Sequence, residues 1–222
     1  YLGTCVESLN LSEKVSVSYR ASCPETKISV HAEDLALVEE TQKNAIEKIG
    51  ADFVFTEDPE KHSSEIVAEL LLERSATLSC AESCSGGKLA DRFISIPGSS
   101  SFFKSSAVTY ANEAKEEFLG VKSLSDFGAV SKQVAIEMAE GVRERAGSDY
   151  ALSITGIAGP DGGTEEKPVG SVWIGISSKE ISKAFYFCYP AERNAFRVYV
   201  SSLAIDLLRR HILGLPLTWE KK

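Results

Sequence analysis

The chain has 222 residues, enough for one or two domains, and an apolar share of 43% that supports a real core. No apolar run reaches the length of a membrane span, and no signal-peptide pattern opens the chain. The net charge of −8 sits at the front: residues 1–74 carry 7 Lys and Arg against 15 Asp and Glu, and the remainder carries 17 of each. An acidic front argues against nucleic-acid binding there, because phosphate contacts dominate such affinity. The five cysteines are odd in number and irregularly spaced, so they read as free thiols of a cytoplasmic protein. Cys80 and Cys84 lack the spacing of a redox pair or zinc knuckle, and the three histidines are scattered, so no metal or other cofactor is expected. An opening Tyr in place of Met reads as a fragment or a processed chain.

In chain order, residues 14–20 (KVSVSYR) and 27–32 (KISVHA) alternate as two short strands, with ASCPET as the turn between them. Residues 33–48 predict an amphipathic helix with Leu35, Val38, Ala45 and Ile46 near one face, ended by Gly50. ADFVFTE, residues 51–57, reads as a further strand, which makes the front a small βαβ-like unit. TEDPEKHSS, residues 56–64, is a polar break and a linker. Beyond it the pattern predicts helix 65–74, strand 76–81, helix 86–95, strand 105–110 and helices 112–119 and 131–146. Strand 149–155 leads into a long Gly- and Pro-rich loop, then strands 170–177 and 182–188 and a closing helix over 191–213. Strands alternating with helices imply an α/β layered domain. The late strand pair has no helix between its members, so the sheet is expected to be mixed.

TLSCAESCSGGKLADRF, residues 77–93, carries the first chemistry. Ser83 lies where a strand turns into a helix. Backbone N–H groups of Cys84, Ser85, Gly86 and Gly87 are expected unpaired at that helix N-terminus, where they stabilise negative charge. Two readings stand: Ser83 or Ser85 caps the helix, or Ser83 is a nucleophile with an oxyanion pocket beside it. A nucleophilic serine needs a base, and His31, His62 and His211 lie in segments with no link to this corner. Lysine is the alternative, in AVTYANEAKEEFLG (residues 107–120). Tyr110 ends a strand, Asn112 is the expected N-cap, and Lys115 falls in the first helical turn. Helix dipole and burial would both lower the lysine pKa, although an exposed lysine and a packed tyrosine fit the segment too. Tyr110 and Lys115 are five apart, which does not align them on one helix face as in short-chain dehydrogenases. The loop TGIAGPDGGTEEKPVG (residues 155–170) has no P-loop ending but could cradle a phosphate through backbone N–H groups. Arg193 and Arg197, i and i+4 on the last helix, could clamp a phosphate or simply be solvated.

AESCSGG, VTYANEAK, FGAVS and ITGIAGPDGGTEEKPVGSVW stand in this order with natural spacing. Together they resemble the CinA (competence/damage-inducible protein) C-terminal domain family, whose members include nicotinamide mononucleotide deamidases. The resemblance covers about residues 62 to 213; the family's usual threonine after Glu-Ser-Cys is Ser85 here, which keeps the hydroxyl. Residues 12–58 resemble the degenerate KH-like linker domain of full-length CinA proteins, without a G-x-x-G loop. The expected organisation is therefore a small α+β, KH-like domain over 1–60, then a three-layer α/β/α domain with a mixed sheet over 61–222.

The resemblance implies hydrolysis of the carboxamide of nicotinamide mononucleotide to nicotinic acid mononucleotide and ammonia, with Ser83, Lys115 and Tyr110 as the catalytic group. Backbone N–H groups around Ser85 and Gly86 would hold the oxyanion. Cys84, Gly87, Asn112, Thr155, Gly156, Ala158, Gly159, Arg193 and Arg197 are the remaining candidates for binding substrate. The resemblance also implies a homodimer, and an N-terminal domain of metal-dependent ADP-ribose pyrophosphatase type in full-length relatives that this chain lacks. A different amide or ester hydrolase, and a non-catalytic competence or damage module, are the alternatives.

Overall fold

The structure, a computed structural model, describes residues 2–9, 11–22 and 25–217, which form two compact units, 1–62 and 63–222. In the front unit, helix α1 (Leu2–Glu7) precedes an antiparallel pair, β1 (Ser16–Ser22) and β2 (Glu25–His31). Residues 23 and 24 of the expected turn lie outside the described residues. Helix α2 (Leu35–Ile49) is capped by Asp34, whose side chain accepts from Ala36 N–H, and ends at Gly50. The expected strand over 51–57 is corrected. Ala51–Phe53 form a 3-10 turn in which Phe53 N–H returns to Gly50 O and Val54 N–H to Ala51 O. These local bonds take the groups a strand would have offered to a ladder. The unit is thus a helix, a hairpin and a helix, and not βαβ-like. The sequence pattern does not predict α1.

The second unit opens with α3 (Ser63–Glu73) and β3 (Leu78–Glu82), then α4 (Lys88–Ile94) and β4 (Phe103–Val108). Helices α5 (Asn112–Leu119), α6 (Leu124–Phe127) and α7 (Lys132–Ala146) lead to β5 (Tyr150–Gly156). A hairpin of β6 (Ser171–Ser177) and β7 (Ser182–Cys188) follows, and α8 (Arg193–Leu213) closes the unit. Strand order is β4-β3-β5-β6-β7; β4, β3 and β5 run parallel, and β6 and β7 alternate antiparallel. The sheet is mixed, as its strand pattern implied.

Both faces of the sheet are covered, so alternate residues of one strand enter different cores. Leu78 and Cys80 of β3 and Leu152 and Ile154 of β5 pack with Val67 and Leu71 of α3, Leu89 and Phe93 of α4, and Phe196, Val200 and Leu207 of α8. Ala81 and Ala151 face Leu119 of α5, Leu124 of α6, and Val134, Met138 and Val142 of α7. The result is three layers, α/β/α. α7 presses so closely on β6 that a Cβ on Gly175 would lie 2.5 Å from Ala135 O. Among the described residues no helix is long and apolar enough to cross a membrane.

Candidate active site

From β3 the chain crosses one face of the sheet through α4 to β4. It then returns across the other face, through α5 to α7, to reach β5 on the opposite side of β3. A crevice opens at the strand carboxyl ends where the order reverses in this way. There a cavity of about 210 Å³ is lined by Ser83 and Cys84 after β3, by Tyr110, Asn112 and Lys115 after β4, and by Thr155, Gly156 and Ala158 after β5. Ala129 and Val130 ahead of α7 and Arg193 at the start of α8 complete the lining. A larger groove of about 510 Å³ on the front unit, beside Glu39, Lys43 and Glu47, has no serine, cysteine or histidine in its lining.

Ser83 N–H donates to Ile154 O at 3.0 Å, which ties the corner to β5. Gly86 N–H turns back to Ser83 O at 3.1 Å. Gly86 and Gly87 take φ of 60° and 91°, a left-handed backbone that glycine adopts without a Cβ clash. That turn delays α4 to Lys88, two residues later than the sequence pattern suggested. The helix N-terminus is not open. Glu82, fully buried, accepts from the N–H groups of Gly87 (2.9 Å), Leu89 (3.1 Å) and Ala90 (2.9 Å), and from the Ser106 hydroxyl (3.2 Å). Its carboxylate satisfies the positive end of α4 internally.

The expectation of unpaired N–H groups from Cys84 to Gly87 is therefore corrected: Gly86 and Gly87 are engaged. The Cys84 and Ser85 N–H groups reach no oxygen acceptor among the described residues and approach the Cys84 sulfur instead. Ser85 is fully buried with its Oγ unpartnered. Glu82 was legible in principle, since an acid just ahead of a helix start suits the dipole.

Burial pushes the Cys84 thiol up to about 12, with Glu82 adding to the rise and the local N–H groups and Lys115 opposing it. Near neutrality it is a thiol, not a thiolate.

Lys115 is 1% exposed. Its Nζ donates to the carbonyls of Thr109 (2.8 Å), Tyr110 (3.2 Å) and Ala111 (3.5 Å). Burial pushes the amine below the ordinary lysine range, while Cys84 and Glu113 pull it up. A neutral Cys84 thiol supplies no charge near pH 7, so burial is then opposed by Glu113 and the three carbonyls alone. Those carbonyls match the three N–H groups of an ammonium; a neutral amine gives up one of them and gains a lone pair. The N-cap of α5 is Ala111, not Asn112, which leaves the Asn112 side chain on the cavity wall.

Tyr110 follows β4 by two residues, is 62% exposed, and accepts a hydrogen bond from Arg193 Nη2 at 3.0 Å. Arg193 Nη1 donates to Gly159 O at 2.7 Å, and the Thr155 hydroxyl donates to Ala129 O at 2.7 Å. The two arginines of the expected clamp part company. Arg197 donates from Nε to Ser85 O (2.9 Å) and from Nη2 to Gly86 O (3.3 Å), bracing the corner from outside the cavity lining. One helical turn separates the two arginines, and only Arg193 lines the cavity. Of the histidines, His31 bonds Ser18, His62 bonds Glu25 and His211 meets Ser178; none lines the cavity. Among the described residues no group of three or more His, Cys, Asp or Glu is placed to hold a metal ion.

A three-layer α/β/α protein with a serine and a buried lysine facing one crevice is thus defined. The family model for the CinA C-terminal domain matches residues 60–212, and the chain belongs to the CinA family. A CinA-like protein of Endomicrobium trichonymphae is 46% identical over 193 residues, 85% of this chain and 45% of that relative. A CinA-like protein of Geotalea uraniireducens (strain Rf4) is 42% identical over 208 residues, 90% of this chain and 49% of the relative. The chain spans about half the length of these curated relatives. Among solved structures, a competence-damaged protein (CinA) superfamily protein from Klebsiella pneumoniae matches with a TM-score of 0.66 and 30% identity, covering 69% of this chain and 99% of that one.

Proposed function

We propose that this chain hydrolyses the carboxamide of nicotinamide mononucleotide to nicotinic acid mononucleotide and ammonia, in pyridine nucleotide salvage. The observation that carries the reading is the cavity itself, which is lined by both Ser83 and a lysine that is 1% exposed. Ser83 Oγ attacks the amide carbon and its proton passes to Lys115 Nζ, freed by burial to act as an amine. The Cys84 and Ser85 N–H groups take the oxyanion. Collapse expels ammonia, protonated by Lys115 directly or through Tyr110, and leaves an acyl ester on Ser83. Water then adds to the ester with Lys115 again accepting a proton, and Ser83 is restored. The cavity of about 210 Å³ is below the roughly 300–1,000 Å³ of pockets that enclose a whole ligand. It suits the pyridine amide, with ribose and phosphate towards the mouth beside Tyr110 and Arg193. The same size keeps a second reading, hydrolysis of another small amide.

A cytoplasmic homodimer is part of the proposal. Ammonia release from nicotinamide mononucleotide, set beside nicotinamide riboside and free nicotinamide, is the test. Turnover of the mononucleotide well above the other two supports the reading; equal turnover of all three favours a general amidase, and none at all a binding module.

A further inference from the structure

We propose that the Arg193–Tyr110 hydrogen bond is a latch: the phosphate of the substrate takes the guanidinium and releases Tyr110, whose hydroxyl then turns to the reacting amide. The inference rests on the deamidase reading, with Tyr110 as its proton relay, and adds what governs that relay.

Four observations carry it. Arg193 holds Tyr110 by one arm only, Nη2 at 3.0 Å, while Nη1 is anchored on Gly159 O at 2.7 Å. One arm can change partner without moving the arginine. Tyr110 has no other side-chain hydrogen bond among the described residues and is 62% exposed, so a rotation of its side chain meets little resistance. Its backbone, by contrast, is fixed, because Lys115 Nζ holds its carbonyl. Finally, two helix N-termini and the second arginine at this end of the sheet are already engaged. Glu82 occupies the N-terminus of α4, Glu192 accepts from Asn194 and Ala195 at the N-terminus of α8, and Arg197 is bound to the corner carbonyls.

The exchange has a clear direction. A phenol oxygen is a neutral acceptor, whereas a phosphate oxygen offers the freed Nη2 arm a charge-assisted one. While latched, the Tyr110 oxygen has a lone pair committed to Arg193 and its ring is held at the mouth. Once released, Tyr110 can pass its proton to the departing nitrogen and recover one from the Lys115 ammonium, so no net proton is consumed. The substrate's phosphate thus acts on turnover and not only on binding, and Arg193 becomes a specificity determinant for phosphorylated amides.

The test has two arms. In the first, the chain carrying ring-labelled tyrosine is titrated with inorganic phosphate and followed by NMR, the Tyr110 resonance being assigned from Tyr110→Phe. Phosphate should shift that resonance in the wild type. In Arg193→Ala the resonance should already sit at the released position and stay there. A wild-type resonance that saturating phosphate does not move overturns the latch, whether or not the chain deamidates anything. In the second arm, turnover of nicotinamide riboside is measured with and without phosphite. Phosphite should raise wild-type kcat by about tenfold or more, the scale of one hydrogen bond to a charged group. Arg193→Ala should turn over the riboside faster than the wild type and ignore phosphite. A structural defect would lower that rate, so a drop on the riboside overturns the proposal. Ammonia from nicotinamide mononucleotide, recorded alongside, judges the deamidase reading separately.

Discussion

Ser83 and Cys84 are neighbours on one cavity wall, and their surroundings decide which can react. The thiol is 5% exposed and pushed up to about 12 by burial, so almost no thiolate forms near neutrality. Cys84→Ala should therefore keep most of the turnover and Ser83→Ala almost none; the reverse pattern in an ammonia assay would move the nucleophile to sulfur. Lys115 has the complementary problem. It must lose a proton to serve as base, and burial favours that loss. kcat/KM should rise with pH through a lysine pKa lying below the ordinary value of about 10.4. Lys115→Arg should be inactive at every pH, because arginine stays charged. The same shift links folding to pH. Between the lowered pKa and the ordinary one, the unfolded chain holds more protons than the folded chain, so stability rises with pH. Wild type should gain stability relative to Lys115→Met as the pH rises towards the ordinary lysine value of about 10.4, read from urea midpoints. A difference that stays flat would mean that the folded amine titrates like an unfolded one.

At the scale of elements, the β3–α4 corner is held from both sides: Glu82 caps the helix from within, and Arg197 of α8 grips the turn from outside. Each Glu82 oxygen serves two donors, Gly87 and Leu89 on one and Ala90 and Ser106 on the other. Glu82→Gln turns one oxygen into an NH₂ group that faces donors, leaving two of them unsatisfied. The expected cost is about 1–3 kcal/mol in urea unfolding, the scale of lost hydrogen bonds to a charged group. Ser106→Ala, which removes one donor and leaves the carboxylate satisfied, should cost less; equal costs would show that the cap is not what holds Glu82. Arg197→Ala should lower kcat more than it raises KM, because the arginine shapes the turn that carries Ser83 and does not line the cavity. The strands and long helices of this unit were readable because their apolar period reports which faces are covered. The corner's bracing was not, since Arg197 is 111 and 112 residues from the carbonyls it holds. The four-residue helix α6 is too short to show a period, and 51–57 misled because an apolar run says nothing about whether a partner strand is available.

For the whole molecule, what decides autonomy is where the apolar side chains lie. Both core clusters, from Val67 to Leu208 and from Ala81 to Ala151, belong to the second unit, as does every residue lining the cavity, from Ser83 to Arg193. Four of the five stretches that line the cavity stand in the sequence as motifs in this order, and Arg193 supplies the fifth. The carbonyl cage around Lys115 Nζ was not legible, because it depends on how the chain leaves β4. The front unit buries only Val15, Ala45 and Ile49 among its described apolar residues. A two-stranded hairpin with so small a core is marginal by itself, since short chains bury too little surface to offset chain entropy. Residues 63–222 alone should therefore unfold in one cooperative urea transition and keep kcat/KM on nicotinamide mononucleotide within about threefold of the full chain, a change too small for the loss of a transition-state contact. Residues 1–62 alone should show no cooperative transition. If 63–222 folds but its activity falls by orders of magnitude, the front unit must contribute to the site or to an assembly that the site requires, and the cavity described above is then only part of the active centre.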